Sequence, residues 1–125
     1  MRVIVCNDYK EMSMRAAKLV ASQMILKPDC TLGLATGSTP IGMYDELVRM
    51  YESGEIDFSE VTSFNLDEYY PISPENEQSY RYFMNTKLFD HVNVDKANTH
   101  VPNGSAEDAA AEAARYESFV RSLGG

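Results

Sequence analysis

Two short segments of the sequence combine residue types that could do chemistry. Thr36-Gly37-Ser38-Thr39-Pro40 groups a glycine, hydroxyl side chains and a proline suited to the first turn of a helix. Free backbone N–H groups at a helix N-terminus, the positive end of the helix dipole and nearby hydroxyls all favour an anion there, and a glycine lets it approach the backbone. Phosphate is the natural ligand for such a loop. The same pentapeptide would also serve as a plain turn that caps a helix with no ligand at all. It is not a Walker A loop: the spacing is too short and no lysine follows, the next cation being Arg49.

The second segment, Phe64-Asn65-Leu66-Asp67-Glu68-Tyr69-Tyr70, puts adjacent carboxylates and two phenols where an apolar run gives way to a loop. Hydrophobic walls and a neighbouring like charge raise a carboxyl pKa, which turns a weak base into a proton shuttle near neutral pH. Adjacent residues on an extended chain point opposite ways, so at most one carboxylate faces a ligand and the other supports it. Two other readings are a solvated acidic loop and a Mg²⁺ site of the kind nucleotide hydrolases place after an apolar strand; the latter lacks its phosphate-loop lysine. Together the two segments suggest a small phosphorylated substrate and proton transfer.

The elements that would position these segments alternate. Residues 2–6 read as a strand, closed by the N-cap residues Asn7 and Asp8. A helix is expected over 9–26, with Met12, Ala16, Leu19, Val20 and Met24 on its inner face, then a strand over 30–35. Thr39 caps and Pro40 opens a second helix, with Met43, Tyr44, Leu47, Val48 and Tyr51 facing inward and Gly54 ending it. A strand over 61–66, a loop with Pro71 and Pro74, and a helix over 79–89 follow. A brief extended piece at 98–101 and the turn Pro102-Asn103-Gly104 lead to a last helix, capped by a Ser105/Asp108 pair and ended by Gly124-Gly125. Strands alternating with helices indicate an α/β fold, a Rossmann-like parallel sheet with helices on both faces, in which ligands gather at the carboxyl ends of the strands.

Composition bounds the rest. The chain has 125 residues, 44% apolar and 24% charged, which suits one α/β domain over 1–125. A domain of this length buries roughly 65–70% of its unfolded surface, enough for a core without disulfide or metal staples. With 11 Lys and Arg against 19 Asp and Glu the net charge is −8, and no basic face is offered to nucleic acid. Apolar runs fall far short of the about 18–20 residues that span a bilayer, and no signal peptide is legible, so the cytoplasm is expected. Cys6 and Cys30 lack metal-ligand or scaffold spacing and read as buried or half-buried free thiols. His91 and His100 read as ordinary surface or turn histidines, and no metal site is expected.

The run Leu32-Gly33-Leu34-Ala35-Thr36-Gly37-Ser38-Thr39-Pro40, then Phe64-Asn65-Leu66-Asp67-Glu68-Tyr69, Ser79-Tyr80, Phe83-Met84, Leu88-Phe89 and Val101-Pro102-Asn103-Gly104, resembles glucosamine-6-phosphate deaminase in order and interval. The Phe-Asn-Leu-Asp-Glu-Tyr segment is the specific part. The Gly-Ser-Thr-Pro loop is shared with related sugar-phosphate enzymes such as 6-phosphogluconolactonase. The resemblance implies cofactor-free conversion of glucosamine 6-phosphate and water to fructose 6-phosphate and ammonia, in amino-sugar and N-acetylglucosamine catabolism, and the class expected is hydrolase. It implies that Asp67 moves a proton between C2 and C1, that Thr36, Gly37, Ser38 and Thr39 cradle the substrate phosphate, and that Glu68 and Tyr69 support them.

Family members are considerably longer. The chain is therefore expected to be the N-terminal portion of a longer deaminase domain, truncated on the C-terminal side and nearly inactive alone. The ring-opening Asp, His and Glu and the cations that complete the phosphate site would lie downstream, and neither His91 nor His100 matches the missing histidine. A cut sheet edge should promote association. The full-length protein is expected to be compatible with a homo-oligomer. The alternatives are a non-catalytic sugar-phosphate-binding module and a 6-phosphogluconolactonase-like hydrolase.

Overall fold

The computed structural model describes residues 1–124, so Gly125 of the expected terminal glycine pair lies outside the described residues. Helix α1 spans Tyr9–Leu26. Strand β1 (Thr31–Leu34) leads to helix α2 (Ile41–Glu52), and strand β2 (Thr62–Asn65) to helix α3 (Tyr80–Lys87). Strand β3 (Thr99–His100) precedes helix α4 (Ala109–Ser122). The sheet runs β1-β2-β3 and is parallel throughout, with Leu34 beside Asn65 and Phe64 beside His100. Each crossover carries a helix, and α2 touches α3, as successive right-handed crossovers in one direction require. This is the Rossmann-like α/β arrangement expected.

Local chemistry starts α1 where the sequence does. The Asp8 carboxylate accepts from the Glu11 amide at 2.8 Å, and Glu11 reaches back to accept from the Asn7 amide at 2.6 Å. The core gathers Ala17, Ala21 and Met24 of α1, Tyr44, Leu47 and Met50 of α2, and Met84 and Leu88 near α3.

Several expectations are corrected. Residues 2–6 form no strand, and Val3 and Val5 are 72% and 88% exposed. β-Branched side chains favour extended backbone, but a strand also needs a neighbour for its N–H and C=O groups, and neither sheet edge pairs with this segment. The inner face of α1 is Ser13, Ala17, Ala21 and Met24; Met24 is buried as expected and Val20 packs partly buried on the core, but Ser13, Ala17 and Ala21 lie one position on from Met12, Ala16 and Val20, and Met12 and Leu19 are exposed. Small residues lie inward because α1 packs closely on α2: a Cβ at Gly42 would stand 2.3 Å from Ser13 Oγ. Asp108 alone caps α4, accepting from the Ala110 and Ala111 amides, while Ser105 instead donates to the Ile72 carbonyl. Within α4 only Tyr116 is buried. Cys30 is buried and Cys6 half-buried, both free, but neither lies in a strand.

Candidate active site

The strand register sets the site. Because Leu34 pairs with Asn65, the loops that follow β1 and β2 leave the sheet side by side. The Asn65 side-chain amide donates to the Leu34 carbonyl at 2.9 Å, and the Tyr116 hydroxyl reaches the Asn65 and His100 carbonyls at 2.8 and 2.9 Å. The ends of all three strands are thereby tied together.

In loop 35–40, Gly37 has φ +93° and nothing within 4 Å of the place a Cβ would occupy. The glycine is needed for the backbone conformation, not for space. Gly37, Ser38 and Thr39 are exposed and Thr36 is half-buried. The cap expected from Thr39 is absent: Pro40 itself takes the cap position and no side chain caps α2, so Thr39 lies one residue too early to reach the first-turn amides. The loop is held from elsewhere. At its start the buried Tyr44 hydroxyl accepts from the Ala35 amide at 3.0 Å and donates to the Ala35 carbonyl at 2.5 Å. Burial pushes this phenol up to about 12, so it stays a neutral donor. At its end Tyr9 of α1 contacts the backbone of Ser38, Thr39 and Gly42.

In loop 66–72 the adjacent carboxylates part company. Glu68 accepts from the Tyr80 amide at 2.8 Å, the Arg81 amide at 3.1 Å and its neighbour Tyr69 at 2.9 Å. It therefore anchors the first turn of α3, where a helix favours negative charge. Asp67 is exposed. Segment 102–106 braces the loop: the Ile72 amide donates to the Gly104 carbonyl at 2.8 Å and the Tyr70 hydroxyl to the Ala106 carbonyl at 2.9 Å. The approach is close enough that a Cβ on Gly104 would stand 2.6 Å from the Tyr69 carbonyl oxygen.

The Tyr69 and Tyr80 rings pack at a tilt of 45°, with centroids 4.8 Å apart. Hydrogen bonding with Tyr69 is the main cause raising the Tyr80 phenol above its ordinary value. Burial and the charges of Tyr69 and Asp67 add to it, and a hydrogen bond with Thr36 opposes it. Tyr80 thus sits against Tyr69 of the acidic loop, at the start of the helix that Glu68 anchors. Tyr80 belongs to a segment that carries the family resemblance, but nothing in the motif spacing marks Tyr44 or Tyr9 as part of a site; their roles come from contacts between elements.

A groove of about 640 Å³ opens beside Asp67, lined by the acidic loop, Pro102 to Gly104 and one side of α4. Thr36 to Thr39 do not line it, so it continues from the acidic tip and not from the phosphate-type loop. His91 is exposed, its Nε2 within 2.7 Å of the Thr86 carbonyl. His100 is not a surface residue as expected: it is half-buried on β3 and packs at a tilt against Phe119, because Phe64 pairing draws it into the sheet. Among the described residues no group of three or more His, Cys, Asp or Glu could hold a metal ion, and no helix is long and apolar enough to cross a membrane.

Residues 7–125 match the family model described as glucosamine-6-phosphate isomerases/6-phosphogluconolactonase. Across all 125 residues the chain is 62% identical to a glucosamine-6-phosphate deaminase from Halothermothrix orenii and 57% identical to one from Clostridium perfringens. It covers 52% of each, so the chain spans about half the length of these curated relatives. Among solved structures, a monomeric glucosamine-6-phosphate deaminase superposes with a TM-score of 0.96 at 42% identity, over 99% of this chain and 52% of that one. A 6-phosphogluconolactonase from Thermotoga maritima gives 0.76 at 21% identity over 96% of this chain and 53% of that one, a likeness of fold alone. The expected class of hydrolase is corrected by these matches: the high-identity relatives are deaminases, in a family whose description leads with isomerases. The chain belongs to the family of glucosamine-6-phosphate isomerases and 6-phosphogluconolactonases.

Proposed function

We propose that this chain is the N-terminal portion of one longer α/β domain, and that the longer protein deaminates glucosamine 6-phosphate to fructose 6-phosphate and ammonia. The observation that carries the reading is the register of Leu34 on Asn65, which sets an anion-type loop beside an exposed carboxylate at neighbouring strand ends. The high-identity relatives all bear the deaminase name, which favours this reading over the lactonase and over a module that binds without turnover.

In this account the amides and hydroxyls of Thr36, Gly37, Ser38 and Thr39 hold the substrate phosphate. Asp67 takes the proton from C2 of the open-chain sugar and returns it to C1, while the C1 carbonyl oxygen gains the proton that the C2 amine gives up; the carbon–nitrogen bond becomes an imine, which water hydrolyses to the C2 ketone and ammonia. No cofactor enters these steps. Glu68 supports the reaction from behind by fixing α3, and with it Tyr80, against the loop; Tyr69 packs on Tyr80. Ring opening and the cations that complete the phosphate site are assigned to the half of the longer protein that this chain does not span. Assembly of that protein into a homo-oligomer is a separate proposal, decided by light scattering, and a cytoplasmic location by fractionation.

The test is ammonia release from glucosamine 6-phosphate by the full-length protein and its Asp67→Asn variant. Wild-type turnover with a loss of about 10²–10⁴-fold in kcat in the variant is the expected outcome. Undiminished turnover in the variant removes Asp67 from the role. Tight binding of the sugar phosphate with no turnover by the wild type would favour the binding module.

A further inference from the structure

We propose that Tyr9 is a positioning residue for the phosphate loop, setting the orientation of its backbone amides from the neighbouring helix. The inference rests on the reading of loop 36–39 as the phosphate site. Tyr9 opens α1 and belongs to neither chemical segment. Its hydroxyl donates to the Ser38 carbonyl at 3.0 Å, shared with the Thr39 carbonyl at 3.1 Å, and accepts from the Gly42 amide at 2.8 Å.

Peptide planarity gives these contacts a consequence for an anion. In a trans peptide the C=O and the following N–H point opposite ways. Drawing the Ser38 carbonyl toward Tyr9 therefore turns the Thr39 amide away from it. Tyr44 does the same at the other end: its hold on the Ala35 carbonyl fixes the direction of the Thr36 amide. Between these two fixed peptides lies the exposed, left-handed Gly37. The Gly42 amide would otherwise be one of the unpaired donors at the start of α2. With Tyr9 occupying it, and the Ile41 amide turned to the Ser38 carbonyl at 3.4 Å, neither of the first two amides of α2 is offered to a ligand.

The packing that delivers Tyr9 is specific. A Cβ on Gly42 would lie 2.3 Å from Ser13 Oγ and 3.0 Å from Tyr9 Cε1, so α1 reaches the loop only because residue 42 has no side chain. Tyr9 itself is 50% exposed, so removing its hydroxyl empties no part of the core.

The experiment uses the full-length protein, wild type, Tyr9→Phe and Gly42→Ala. It measures affinity for inorganic phosphate, KM and kcat with glucosamine 6-phosphate, and hydrogen exchange at the Gly42 amide. In Tyr9→Phe the phosphate affinity and KM both weaken about 3- to 10-fold, the worth of a hydrogen bond. The kcat stays within about two-fold, and the Gly42 amide exchanges faster. Gly42→Ala moves phosphate affinity and KM in the same direction. Phosphate affinity and KM that stay at wild-type values in both variants overturn the role of Tyr9, as does a loss confined to kcat. A wild type that binds neither inorganic phosphate nor glucosamine 6-phosphate overturns the phosphate-site reading as well, which distinguishes the two failures.

Discussion

Loops 35–40 and 66–72 leave neighbouring strands at the same level of the sheet, yet they are held by different means. The first is gripped by its backbone, through phenols of α1 and α2 at its two ends, and Gly37, Ser38 and Thr39 between them stay exposed. The second uses one of its own side chains as the anchor, Glu68 on the first turn of α3, and leans on a glycine of a distant turn. The comparison shows two ways to keep functional groups available. On the proposed reading, a loop that binds its ligand through amides needs its support from outside. A loop whose chemistry is one carboxylate can spend the adjacent one on structure.

The comparison can be broken at its tightest contact first. Replacing Gly104 by Ala puts a Cβ against the Tyr69 carbonyl and against Ile72, mostly backbone that cannot swing aside. A loss of about 1–3 kcal/mol on chemical denaturation is expected, with reduced turnover in the full-length protein because the loop carrying Asp67 must shift. Stability unchanged in Gly104→Ala would show that the brace does not set the loop.

Gly37→Ala tests the other loop. The site is open, so only the left-handed conformation is at stake, and about 1–2 kcal/mol is expected with a raised KM. Tyr44→Phe keeps the ring in the core and removes only the hydroxyl, leaving the Ala35 amide and carbonyl without that partner. It should lower the stability measured in denaturant by about 1 kcal/mol.

The smallest effect is in pH. Burial first, then repulsion from Arg81 and Arg115, holds the His100 imidazole below its ordinary value. The unfolded chain then binds the proton more readily than the folded one. The contribution of neutral His100 is present in full above the unfolded value and declines as pH falls below about 6.5 toward the folded value. Thermal melts between about pH 7 and 5.5 should show this decline, and His100→Gln should flatten it.

Much of this was legible in the sequence wherever the cause was local. Helix α1 begins and ends where its periodicity and Asp8 place it, and the cores of β1 and β2 fall inside the apolar runs. The two chemical segments were legible for the same reason: glycine, hydroxyls and a carboxylate pair advertise themselves. What required the fold was every assignment made by a distant partner. Val3 and Val5 have strand-forming side chains and no ladder to join. Thr39 has the right type for a cap, but Pro40 occupies the cap position. Glu68 and Asp67 are equivalent in sequence until the amides of Tyr80 and Arg81 take one of them. Tyr9 acts across 29 positions on Ser38, a pairing that no spacing rule encodes.

The division of labour between the adjacent carboxylates is the central claim, and kcat measured beside the melting temperature of the full-length protein tests it most directly. Asp67→Asn should lose about 10²–10⁴-fold in kcat while melting close to wild type. Glu68→Ala should lower the melting temperature by about 2–8 °C, the equivalent of a capping carboxylate worth one to two kcal/mol, and keep kcat within about ten-fold. Equal losses of kcat in the two variants, or a melting temperature that falls only in Asp67→Asn, would contradict the account.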